Sequence, residues 1–368
     1  MAAGFRGLRS LHVAGEQLTA RRRRRRLLVR VGLGALSVGI VVATFVYFLP
    51  TIAGYGEVWE AVRQLSWPWL LALVGVAALN VAAFAPPWQV ALPGLGFVRA
   101  VELTQATTAL SVVVPGGAAV GAATAFGITR RWGFGSQDVV RAVTLTSLWN
   151  QLLNLSFPIV AVFLLTITGA QTAALASVAF VGVAVLGVVV TGLVLVLLSK
   201  RLAEDLGDVA SRFVSWALHK VRRGPVGWAG GNFERFRADV AGFLARRWPT
   251  LTLASLAASL MVFAVFVVSL RALDVPASQV SLVEAFAAWA LVRILTSIPI
   301  TPGGIGVVEL AFTGALVGFG GNSVGVVAAV LVYRFLTVVP TLIVGLVASF
   351  TWRRGRVPEL QEAAGSST

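Results

Sequence analysis

Cysteine is absent from the 368-residue chain, which removes disulfides, thiolate metal ligands and cysteine nucleophiles together. Histidine is nearly absent: only His12 and His219 occur, both in polar stretches, so no histidine-based metal site or proton relay is expected within an apolar segment. Charge is scarce as well. Charged residues make up 12% of the chain, against about 25% in a soluble domain, whereas hydrophobic residues make up 57%. A soluble fold of this size has no interior large enough for that much apolar surface. There is no phosphate-binding P-loop, no zinc-ligand spacing and no Ser-His-Asp set, so ATPase or hydrolase chemistry has no support. No catalytic residue, metal or cofactor is expected, and the chain is not read as an enzyme.

What the chain does have is long apolar runs. A bilayer span needs about 20 predominantly apolar residues, and six segments qualify: 27–50, 67–86, 143–168, 171–199, 250–271 and 323–351. The first is too long for a signal-peptide core and is read as a retained span. Two further apolar segments, 99–130 and 282–320, are interrupted near their middles by Pro115-Gly116-Gly117 and Pro302-Gly303-Gly304. Proline and glycine break helices and permit close backbone approach, so these segments are expected to form re-entrant or broken helical hairpins. The fold class is all-α and polytopic: about six full transmembrane helices plus two such hairpins.

The net charge of +15 does not indicate nucleic acid, because it is concentrated beside apolar runs. The run Arg21 to Arg26 abuts the first span, where it acts as a topology signal and a contact for anionic headgroups. Segments 1–26, 87–99, 130–141, 200–248 and 353–368 hold 25 of the 30 basic residues. The opposite set of loops holds only Arg63, with Arg271 at its border. Positive-inside placement puts both termini in the cytoplasm, and the expected location is the cell inner (plasma) membrane.

That topology divides the chain into a basic tail (1–26), a first membrane half (27–199), a cytoplasmic interfacial amphipathic connector (200–248), a second half (249–352) and a second tail (353–368). In each half a span, a hairpin and a span follow in the same order with opposite orientation. Such an inverted repeat with interrupted helices is a transporter plan whose site lies near the midplane. In the connector, Phe233, Phe236, Val240 and Phe243 recur at helical spacing, as in helices that lie on a leaflet.

Ionisable groups in apolar segments cost roughly 2.5–3.5 kcal/mol to insert. Arg293, Glu309 and Arg334 are therefore the leading candidates. Glu309 starts the arm that leaves Pro302-Gly303-Gly304, where helix amides attract an anion. Arg293 and Arg334 have the planar donors that hold a phosphate. An internal Glu–Arg pair that only locks helices is the competing expectation. In the first half, Pro115, Gly116 and Gly117 with Trp149, Asn150, Gln151 and Asn154 form the softer counterpart, and interhelical hydrogen bonding accounts for the amides equally well.

The run from Arg293-Ile294-Leu295 through Thr301-Pro302-Gly303-Gly304-Ile305-Gly306-Val307-Val308-Glu309 to Tyr333-Arg334 resembles the lysylphosphatidylglycerol synthase transmembrane-region family. The resemblance extends over most of 30–350. It implies a flippase-like domain that moves aminoacylated phospholipid between leaflets, with Arg293, Glu309 and Arg334 as its functional polar residues. Where many members carry acidic and arginine residues, this chain has Ala118-Ala119-Val120-Gly121 and Trp149-Asn150. No soluble aminoacyltransferase domain follows in these 368 residues, so lipid synthesis is not expected of them. The expected partners are membrane lipids with anionic headgroups and a separately encoded lipid-modifying enzyme. The alternatives are an intramembrane lipid-modifying enzyme and a non-transporting scaffold for a separate synthase.

Overall fold

A computed structural model describes residues 54–113, 117–169, 187–188, 190–192, 195, 230–296 and 304–354. The expected spans 27–50 and 171–199 lie outside these residues, apart from isolated helical positions in the second. So do Pro115, Gly116, Pro302 and Gly303. The described residues form helices joined by turns, with no strand among them. In chain order the helices are α1 (Tyr55–Arg63), α2 (Trp67–Ala83), α3 (Ala85–Ala91), α4 (Phe97–Val113), α5 (Gly117–Arg131), α6 (Ser136–Ile167), α7 (Gly230–Ala272), α8 (Leu282–Thr296), α9 (Val307–Gly318) and α10 (Ser323–Arg354).

Local sequence explains where these helices stop. Pro68 opens α2, where a missing N–H costs nothing. Pro86 and Pro87 then separate α2 from α3. Helix α5 ends on Gly133 at φ +90°, with Phe134 N–H donating to Thr129 O and Gly133 N–H to Arg130 O. Helix α9 ends in the same way on Gly320 at φ +103°. Both are Schellman closures, which satisfy the last carbonyls of a helix.

Four stretches are long and apolar enough to cross a bilayer: Trp67–Ala91, Ser136–Ile167, Phe236–Ala272 and Ser323–Ala348. Their outer faces expose Leu71, Val74, Phe163, Ile167, Leu253, Phe335 and Ile343, side chains that lipid solvates and water does not. The remaining long helices are shorter than the roughly 30 Å hydrocarbon layer. At 1.5 Å per residue, α4, α5, α8 and α9 (17, 15, 15 and 12 residues) measure about 25, 22, 22 and 18 Å.

One boundary differs from the sequence expectation. The amphipathic stretch before residue 249 and the span after it form one helix, α7, of 43 residues that passes through Pro249. Val240 and Phe243 are buried with Leu145 and Leu251. They pack inside the protein rather than facing a leaflet, and this contact carries the helix past its proline.

Helix α8 lies at the centre. Ala285, Ala287, Ala288, Trp289 and Ala290 are all fully buried, and small residues let neighbouring backbones close around it. Phe157 of α6, Phe263 of α7 and Phe286 of α8 ring Trp289 at centroid distances of 4.9, 5.3 and 5.7 Å. A second aromatic group, Phe266, Phe312 and Tyr333, joins α7, α9 and α10. Helices α4 and α5 pack as one hairpin, with α4 against α10; α8 and α9 pack as another, with α8 against α6.

Candidate functional site

The second hairpin gathers the ionisable residues. Glu309 is the third residue of α9, and its side chain is only 3% exposed. One carboxylate oxygen, Oε1, accepts from Arg334 Nε of α10 at 2.7 Å. The other, Oε2, accepts from the backbone N–H of Gly306 at 2.6 Å. The sequence builds this arrangement locally. Gly304 and Gly306 adopt φ +69° and +88°, conformations that only glycine reaches cheaply, and the turn they make aims the Gly306 amide along the start of α9. Glu309 then fills the end of its own helix, where amide dipoles favour negative charge.

Arg293, in the last turn of α8, reaches a different helix. Its Nε and Nη2 both donate to Asn154 Oδ1 of α6, at 2.8 and 2.5 Å. Its guanidinium lies 4.7 Å from the Trp289 ring centroid and 5.6 Å from that of Phe157, within cation–π range. Pro158 lacks the N–H that would bond the Asn154 carbonyl, so the continuous helix α6 is short of one backbone hydrogen bond beside this contact. Tyr333, buried against Phe266 and Phe312, carries its hydroxyl within electrostatic reach of Arg293, Arg334 and Glu309. The three ionisable candidates thus lie in the same neighbourhood as one phenol.

Of the residues selected from sequence, the structure unites Arg293, Glu309, Arg334 and Gly304 in this one region. Gln151 joins at one remove, its Oε1 accepting from Asn154 Nδ2 at 3.2 Å. Asn150 is exposed and outside the network. Gly117 opens α5 at a close approach to α4: a Cβ there would stand 1.8 Å from the Ser111 carbonyl oxygen. Trp149 donates to Thr252 of α7 at 2.8 Å, an interhelical bond. Sequence reasoning left Asn154 behind Asn150 and Gln151, and it missed Gly306, Trp289 and Tyr333. A signal existed for two of these. Gly306 stands three residues before Glu309, the spacing at which a side chain returns to cap its own helix. Asn154 stands four before Pro158, where a helix carbonyl is left over.

An all-helical bundle with span-length apolar helices and an ionisable cluster buried among them defines a multi-pass integral membrane protein. Residues 29–345 match the family described as "Lysylphosphatidylglycerol synthase TM region", and the chain belongs to that family. A comparison with curated proteins gives no match.

Proposed function

We propose that the protein is a flippase or transporter that moves an anionic or aminoacylated phospholipid, or a lipid-linked substrate, between leaflets. The observation that carries this reading is the Arg293–Glu309–Arg334 cluster at the break of a hairpin too short to span. Ionisable groups in such surroundings mark substrate pathways. Family membership ties the chain to membrane lipid chemistry, and the family's description names a lysyl phospholipid. In this reading the hairpins are re-entrant, both termini are cytoplasmic, and the two guanidiniums hold the phosphate while acyl chains remain in the bilayer. Asn150 with Gln151 lines the first-half side of the path.

Helix packing supports an inverted repeat. Exchanging α2 with α7, α4 with α8, α5 with α9 and α6 with α10 turns the α10–α4 contact into α6–α8. The same exchange turns α5–α6 into α9–α10 and α7–α6 into α2–α10, all of which are present.

The test is lipid sidedness in proteoliposomes carrying phosphatidylglycerol, its lysyl derivative or a polyprenyl phosphate. Glu309→Gln is expected to slow movement of one lipid by about tenfold, a barrier change of roughly 1.4 kcal/mol, in protein that remains folded. Wild-type transport by the mutant at full expression would sink the assignment. One specific feature favours a second reading: both oxygens of Glu309 are engaged internally. A structural lock predicts the reverse pattern, a lowered melting temperature in Glu309→Gln and lipid movement unchanged per folded molecule.

A further inference from the structure

A second group of arginines stands well away from this cluster. Pro93, Arg141, Asp239, Phe243, Arg246 and Arg247 line a cavity of about 300 Å³ where the loop after α3, the start of α6 and the middle of α7 meet. Arg141 and Asn154 are both on α6, and their separation of thirteen positions corresponds to about 20 Å along the helix. The two groups therefore occupy different depths.

The cavity is built for negative charge. Arg141, with a side chain only 11% exposed, pairs with Asp138 at 3.0 Å and with Asp239 at 2.8 Å. Both carboxylates are thus engaged by one guanidinium. Arg246 and Arg247 have no carboxylate partner among the described residues. Phe243 is buried, and its ring carries Arg141 at 5.1 Å on centroid distance and Arg247 at 5.9 Å, so two cations share one ring. The Nε of Arg141 is buried without an acceptor. Asp138 and Asp239 offset part of the positive charge, two carboxylates against three guanidiniums, and the planar donors left over suit phosphate oxygens. The volume is at the low end for a ligand site, suited to a headgroup and not to a whole lipid. Trp248, 54% exposed next to Arg247, has the amphipathic ring characteristic of a headgroup layer.

We propose that this cavity binds the phosphate of an anionic phospholipid at the membrane surface. The side rests on the topology reading above, which makes the three contributing segments cytoplasmic; the binding itself does not require transport. The same chemistry would accept free phosphate, so the experiment separates the two sources. Full-length protein is placed in phosphatidylcholine nanodiscs with a small fraction of phosphatidylglycerol, and co-purified lipid per protein is measured by mass spectrometry. Wild type is expected to enrich phosphatidylglycerol. The double variant Arg246→Gln/Arg247→Gln, at two exposed positions, is expected to lose roughly tenfold of that enrichment. Arg130→Gln/Arg131→Gln, an equal charge change at the end of α5, is expected to keep it.

Equal loss in both variants, or no enrichment in wild type, would overturn the site in favour of diffuse surface attraction. Displacement of the lipid by millimolar inorganic phosphate would overturn the lipid as the source. Glu309→Gln is expected to retain wild-type enrichment, so failure of the transport reading and failure of this one remain distinguishable.

Discussion

The two hairpins follow the same course and hold opposite contents. In α4–α5 the arms meet at backbone distance: a Cβ on Gly117 would stand 1.8 Å from Ser111 O, and one on Gly121 would stand 2.2 Å from Ser111 Oγ. The hydroxyl side chains there turn inward on their own helices, Thr104 to Ala100 O, Thr107 to Leu103 O and Ser111 to Thr107 O. In α8–α9 the polar groups reach outward instead, Arg293 to α6 and Glu309 to α10. The difference teaches that a broken hairpin can serve as packing or as a charged junction, and that the side chains decide which. The first hairpin satisfies its hydroxyls locally and reaches outside through Gln105, whose Nε2 donates to Val81 O of α2 at 3.1 Å. The second depends on partners elsewhere in the chain.

This contrast can be broken at several points. The largest effect is expected from Arg334→Ala, which leaves the Glu309 carboxylate buried without its cation. Loss of one partner of a buried pair costs about 3–5 kcal/mol, read as a drop in the melting temperature of the purified protein. Gly117→Ala comes next. The clash is with backbone that cannot swing aside, so the cost lies near 3 kcal/mol, the upper end for overpacking. If Gly117→Ala melts like wild type, the close approach of the first hairpin is refuted. Asn154→Ala removes the acceptor of Arg293, a hydrogen bond to a charged group valued at about 1.5–3 kcal/mol. A double-mutant cycle with Arg293→Met should return most of that as coupling. Smallest is Ser111→Ala, whose hydroxyl bonds only its own helix; a change within about 0.5 kcal/mol is expected. A larger loss there would mean that the Ser111 hydroxyl does more than bond its own helix.

Much of this was legible in the residues. The membrane-spanning runs follow from length and apolarity, and the pairing of Glu309 with an arginine from the cost of leaving either charge alone in an apolar segment; of the two Pro-Gly-Gly runs only Gly117 and Gly304 are among the described residues. Partner identity was less accessible. Spacing placed Asn150 and Asn154 on one face, yet only the second meets Arg293, a residue 139 positions away. The fate of Pro249 was illegible for a related reason: a proline ends a helix unless tertiary packing holds both sides, and that packing comes from Leu145 of α6. Arg141, Arg246 and Arg247 looked like topology charges because positive-inside statistics count arginines without saying which of them converge.

Because one oxygen of Glu309 holds Arg334 and the other holds Gly306, the carboxylate is a splice between the register of α10 and the first turn of α9. An anion that drew Arg334 away would weaken that splice at one end only. The turn at Gly304 and Gly306 would keep its cap while α10 gained freedom to slide, so the break in the hairpin would act as a fixed fulcrum and the last helix as the moving arm.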